Sequence, residues 1–161
     1  MVKHARTRSP TVPKRRFWHY GLLIFATLLL ADQYTKRAII ELLPQGGSLP
    51  VFSWLRFTHI QNAGTLWGAL GGANWAFIWL SVIAFGLLLF WHDKFTTIME
   101  KAALTMLIAG LWGNLLDRVT LGYVVDYIDL GWWPAFNIAD ASIVTGIALF
   151  LLETIRLERK K

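Results

Sequence analysis

Cysteine is absent from this 161-residue chain, which excludes disulfides, a thiolate nucleophile and Cys-ligated metal sites. Histidine is scarce: His4, His19, His59 and His92 are scattered, without the close spacing that holds zinc on a helix. There is no GxSxG turn, no phosphate-binding glycine loop and no Ser–Lys pairing on a shared face. Acids number ten against sixteen Lys and Arg. What remains for chemistry is a small set of carboxylates in an apolar chain.

Apolar residues make up 55% of the sequence, nine residues are Trp, and the mean hydropathy is +0.46. One domain of this size has too little interior to hide that much apolar surface from water, so the composition predicts a membrane protein. Residues 1–16 carry six Lys/Arg and no acid. They read as a disordered basic tail that stays in the cytoplasm and touches anionic lipid rather than nucleic acid. Residues 158–161 form a second basic end.

The apolar runs predict four transmembrane helices at about 17–34, 74–91, 102–119 and 138–157, each near the length that crosses roughly 30 Å of hydrocarbon. The first run, with its basic flank, also has the build of a secretory signal peptide but lacks a small-x-small cleavage site. Two stretches, 36–73 and 120–137, are left on the far side. The stretch ELLPQGGSLP is broken by Pro44, Gly46, Gly47 and Pro50. VFSWLRFTHI at 51–60 reads as a strand, and Asn62, Gly64 and Gly68 mark a tight loop after it. A small sheet lying on the membrane surface is expected here.

Orientation follows from counting. Both ends and the 92–101 loop hold twelve of the sixteen Lys/Arg, so the positive-inside rule places both termini in the cytoplasm. Asp32, Asn62, Asn114, Asp117, Asp126, Asn137 and Asp140 then converge at the outer face. An ionisable group at bilayer depth costs about 2.5–3.5 kcal/mol on insertion scales and marks a functional site by default. Asp126 and Asp140 are spaced for a loop that returns to one level. Two close carboxylates share a proton near neutral pH, so that one activates water and the other donates to a carbonyl. Asp32 and Lys36 stand four apart in the order that favours a helical ion pair. Asn114, Asp117 and Arg118 share a helical face, with Asp117 and Arg118 as a charge pair, and Asp129 reads as a surface residue.

Two other classes compete. A proton-relay transporter would spread its acids through the membrane depth. A scaffold packing through Gly110 and Gly146 would leave the polar cluster unexplained.

Five motifs, in order and spacing, resemble the bacterial lipoprotein signal peptidases, the type II signal peptidase family: DQYTK at 32–36, QNAGTLWG at 61–68, GNLLDRV at 113–119, VVDYI at 124–128 and FNIAD at 136–140. The resemblance covers roughly 17–157. It implies a membrane α-helical fold of four transmembrane helices with a small extracytoplasmic sheet, or cradle. It implies an aspartic endopeptidase of the bacterial inner membrane, a monomer in contact with membrane lipid, without metal or cofactor. Its substrates would be diacylglyceryl-modified prolipoproteins, cut before the lipidated cysteine. Asp126 and Asp140 match the family's catalytic pair. Asp32, Lys36, Asn62, Gly64, Asn114, Asp117, Arg118 and Asn137 match positions that support the site or contact substrate. Thr65 and Leu66 depart from the family's more usual Ala-Ala before the aromatic.

Overall fold

A computed structural model describes residues 14–64 and 74–160. The basic tail before residue 14, and Thr65, Leu66, Trp67 and Gly68, lie outside the described residues.

Helix α1 runs Lys14–Leu42. The predicted span stopped at about 34, with the helix ending in the ADQYTK stretch. The helix continues because the sequence offers no breaker before Pro44 and Gly46, the latter at φ +77°. Lys36 therefore lies one helical turn past Asp32 on the same face.

A hairpin follows. Strand β1 (Ser48–Phe52) pairs antiparallel with β2 (Leu55–Asn62), with Ser48 opposite Thr58. The predicted single strand over 51–60 is thus cut by a turn at 53–54, and the pairing starts three residues earlier. Strand β3 (Val124–Asp129) completes the sheet in the order β1-β2-β3, with Arg56 opposite Asp129, Ile60 opposite Asp126 and Asn62 opposite Val124.

Strand β3 was expected to be part of a loop over 120–137. It is covered on both sides, with Val124 to Tyr127 all buried. An alternating pattern therefore never shows in its sequence. Val125 and Tyr127 pack with Ile39, and Phe57, Ile128 and Ile138 close around them. This small core seats the sheet on the end of α1.

Helices α2 (Asn74–Phe90), α3 (Ile98–Thr120) and α4 (Ile138–Glu158) complete the fold. Thr97 and Glu100 start α3 with a capping box, and Asn137 and Asp140 start α4 with another. Helices α3 and α4 pack closely through glycines. A Cβ at Gly110 would strike the Ala139 carbonyl oxygen, and one at Gly146 would lie 2.9 Å from the Ala103 carbonyl oxygen. Among the described residues, α4 is the one helix both long and apolar enough to cross a membrane by length and composition, while α2 is apolar but has 17 residues.

Candidate active site

The start of α4 sets the geometry. Asn137 is fully buried. Its side-chain oxygen accepts from the Asp140 backbone N–H at 2.8 Å, and its own backbone N–H donates to Asp140 Oδ2 at 3.2 Å. Its side-chain Nδ2 is left free to face the sheet, where it donates to Asp126 Oδ1 at 2.8 Å. One residue therefore ties both carboxylates together across a strand and a helix.

Two more amides complete the frame. Asn62, at the end of β2, donates from Nδ2 to Asp126 Oδ2 at 2.9 Å. Asn114, on α3, donates from Nδ2 to Asp140 Oδ1 at 2.7 Å. Each oxygen of each carboxylate accepts one neutral N–H. Burial pushes the Asp126 carboxyl up to about 6. The Asn62 and Asn137 donors oppose that rise and the nearby Asp140 charge adds to it.

Gly64 holds Asn62 in place. Its N–H donates to Asn62 Oδ1 at 2.9 Å. Its φ is +80°, and an added Cβ would run into the Phe77 ring. Both the left-handed backbone and the close ring require glycine.

Beneath the two carboxylates lies an ionic layer. Lys36, 2% exposed, reaches Asp32 Oδ2 at 2.8 Å and Asp117 Oδ2 at 2.9 Å, and donates to Asn114 Oδ1 at 3.1 Å. The expected Asp32–Lys36 pair thus forms, but it recruits Asp117 as well. The expected charge pair between Asp117 and Arg118 does not form, because the Asp117 carboxylate turns towards α1. The Arg118 guanidinium instead lies over the Phe77 ring at 5.3 Å, and one of its terminal nitrogens donates to the Asn114 carbonyl oxygen at 3.4 Å.

Asp129 is not a free surface acid. It pairs with Arg56 at 2.7 Å, accepts from Thr58 Oγ1 at 3.3 Å and takes the Gly131 N–H at 2.8 Å. The Arg56 hydrogen bond first, and the Gly131 and Thr58 donors after it, hold its carboxyl below the usual range.

Three contributors were missed in the sequence. Gln33 donates to Asp117 Oδ1 at 2.9 Å and to Asp32 Oδ2 at 3.2 Å. Thr35 Oγ1 meets the Tyr127 hydroxyl at 2.8 Å. A Cβ at Gly113 would sit 2.7 Å from Asp32 Oδ2, so α3 must be bare at that point. Gln33 and Thr35 lie inside the DQYTK motif, and their spacing on α1 was the available signal. Among the described residues, no group of three or more His, Cys, Asp or Glu side chains is placed to hold a metal ion.

The chain resembles known proteins over most of its length. A family model described as signal peptidase (SPase) II matches residues 24–156. A lipoprotein signal peptidase from Halothermothrix orenii is 36% identical over 132 residues, covering 81% of this chain and 91% of that one. One from Fusobacterium nucleatum is 37% identical over 146 residues, covering 87% and 88%. A solved bacterial membrane enzyme structure, obtained by the in meso method at 2.3 Å resolution, superposes with a TM-score of 0.82 at 31% identity, covering 89% of this chain and 92% of that one.

Proposed function

This chain belongs to the signal peptidase II family, and from that premise we propose that it removes the signal peptide of diacylglyceryl-modified prolipoproteins, cutting before the lipidated cysteine, by aspartyl chemistry. The observation that carries the reading is the Asn137 bridge, which holds Asp126 and Asp140 in one frame. Neutral amides occupy the donor side of each carboxylate. A shared proton and an attacking water are therefore free to be managed by the carboxylates themselves.

The mechanism follows the usual logic of two coupled acids. The ionised carboxylate accepts a proton from water as the oxygen attacks the scissile carbonyl carbon. The protonated one gives its proton to the carbonyl oxygen, so the tetrahedral intermediate carries no bare oxyanion. Collapse then breaks the C–N bond, with a proton passing to the leaving amine. The elevated Asp126 titration supports this reading, because a group near 6 changes protonation at little cost near neutral pH.

In this reading residues 17–157 form one membrane domain with spans near 17–34, 74–91, 102–119 and 138–157. Both termini lie in the cytoplasm and the site lies near the outer face of the inner membrane. The chain works as a monomer without cofactor. The exposed apolar flank of α4, with Val144, Leu151 and Leu152 turned outward, supports a bilayer around the helix and lateral entry of acyl chains. Arg118, near the two carboxylates, would meet a substrate carbonyl or phosphate.

The test is cleavage of a synthetic diacylglyceryl-cysteine prolipoprotein by the detergent-purified protein, run alongside folded Asp126→Asn and Asp140→Asn. Product released before the modified cysteine by wild type alone upholds the reading. Full activity in either variant removes that residue from catalysis.

A further inference from the structure

The ionic layer beneath the carboxylates has a geometry that a simple stabilising salt bridge does not need. The Lys36 ammonium has three hydrogens, and they meet three acceptors on different partners: Asp32, Asp117 and Asn114. Each acceptor, in turn, holds chain next to one of the proposed catalytic carboxylates. The other Asp32 oxygen accepts the backbone N–H of Ala139 at 2.9 Å, one residue before Asp140. The Asp117 oxygen that meets Lys36 also accepts the backbone N–H of Val125 at 3.3 Å, one residue before Asp126. Asn114 passes from Lys36 directly to the Asp140 side chain.

The Asn114 amide cannot be turned over. Lys36 has only hydrogens to offer, so it must meet the amide oxygen, and the Asn137 amide nitrogen donates to the same oxygen at 3.2 Å. The Asn114 nitrogen is thereby forced towards Asp140. Without the ammonium, Asp32 and Asp117 would be two buried carboxylates facing a common gap, and each would have reason to swing away from its backbone partner.

The geometry points to Lys36 as a positioning residue that sets the spacing of Asp126 and Asp140 by fixing Ala139, Val125 and Asn114 at once. It touches neither carboxylate and no reacting atom. It acts as the common origin from which α4, β3 and the Asn114 amide take their places. The inference rests on the aspartyl reading given above and names the residue that makes that pair competent.

Lys36→Arg is the informative variant. Arginine keeps the charge but spreads its N–H groups over a planar fork, so one nitrogen no longer serves three acceptors. The expected result is a folded protein whose kcat falls about 10²-fold while KM stays within about threefold, because misplacement near 1 Å has that effect on a reacting pair. Hydrogen exchange at the Ala139 and Val125 amides should quicken about tenfold or more, while that at core amides of α3 holds. Lys36→Gln, which loses the charge as well, should show the same pattern more strongly. Wild-type kcat in Lys36→Arg, or unchanged exchange at those two amides, overturns the inference. Loss of the fold in both variants also overturns it, in favour of a purely structural ion pair. Wild type that fails to cut overturns the peptidase reading itself. Wild type that cuts beside unaffected variants overturns only the role given to Lys36.

Discussion

Asn114 donates to Asp140 Oδ1 at 2.7 Å although the two residues stand 26 apart in the chain. The bond crosses from α3 to α4 at a level where Gly110 and Gly113 let the two helices approach. Helix packing and carboxylate placement are therefore one problem.

Asn137→Ala should damage both. It removes the donor to Asp126, the cap on α4 and the second donor to Asn114. Loss of a cap together with a buried hydrogen bond is expected to destabilise by about 2–4 kcal/mol. Activity should fall further than stability alone explains, since the Asp126 carboxylate loses a donor, while the Asp140 carboxylate keeps the backbone N–H of residue 137 but loses the cap that fixes its helix end. Thermal melts beside kcat on a lipidated peptide measure the two effects.

The two capping boxes should behave differently. Glu100→Ala opens the box at α3, where Glu100 Oε2 takes the N–H groups of Thr96 at 2.7 Å and Thr97 at 2.8 Å. That end of the helix lies far along the chain from the carboxylates. The expected outcome is a stability loss of about 1 kcal/mol with kcat unchanged. A large drop in kcat in a folded Glu100→Ala protein would contradict this division of labour.

Stability should carry a pH signature from Asp126. Its folded value is raised to about 6 by burial, so the folded state holds this proton more tightly than the unfolded chain does. The stabilisation is fully present below the ordinary carboxylate value near 4 and is lost as pH rises through about 6. Compared with Asp126→Asn, wild type should therefore lose on the order of 3 kcal/mol between pH 4 and pH 8. Chemical denaturation of both proteins at the two pH values reads the difference. A gap that stays constant would mean that Asp126 titrates as it does in the open chain.

Gly64→Ala should strain the turn after β2. The position needs φ near +80°, and the new methyl meets Phe77. The cost of such a residue is about 1–3 kcal/mol, and relief would come from moving the 62–64 turn. Asn62 would then lose its hold on Asp126 Oδ2. Reduced kcat with a modest fall in melting temperature is the expected pair of readings.

Much of this arrangement was legible in the chain. The apolar runs located α2 and α4 closely, whereas α1 continues well past the expected end at 34, to Leu42. The convergence of Asp32, Asn62, Asn114, Asp117, Asp126, Asn137 and Asp140 is also legible in the chain, because charged and amide residues are conspicuous in so apolar a sequence. Partners were harder to read. Asp117 stands beside Arg118 in the chain yet pairs with Lys36, since neighbours on a helix project in different directions and the buried side faces α1. Strand β3 was hidden because its two faces are both buried, and Asp129 was underrated because its partner Arg56 lies 73 residues away. Cross-strand pairing of that range leaves no local mark.

The bond from Ala139 to Asp32 spans 107 residues. At synthesis rates of about 5–20 residues per second, Asp32 waits for several seconds before its α4 partner exists. During that time Lys36, one turn away on the same helix, is already made and within the same chain segment as its acid. The newborn first helix can thus carry its acid as a self-contained ion pair, and the frame that joins Asp126 to Asp140 stays unbuilt until the last helix arrives.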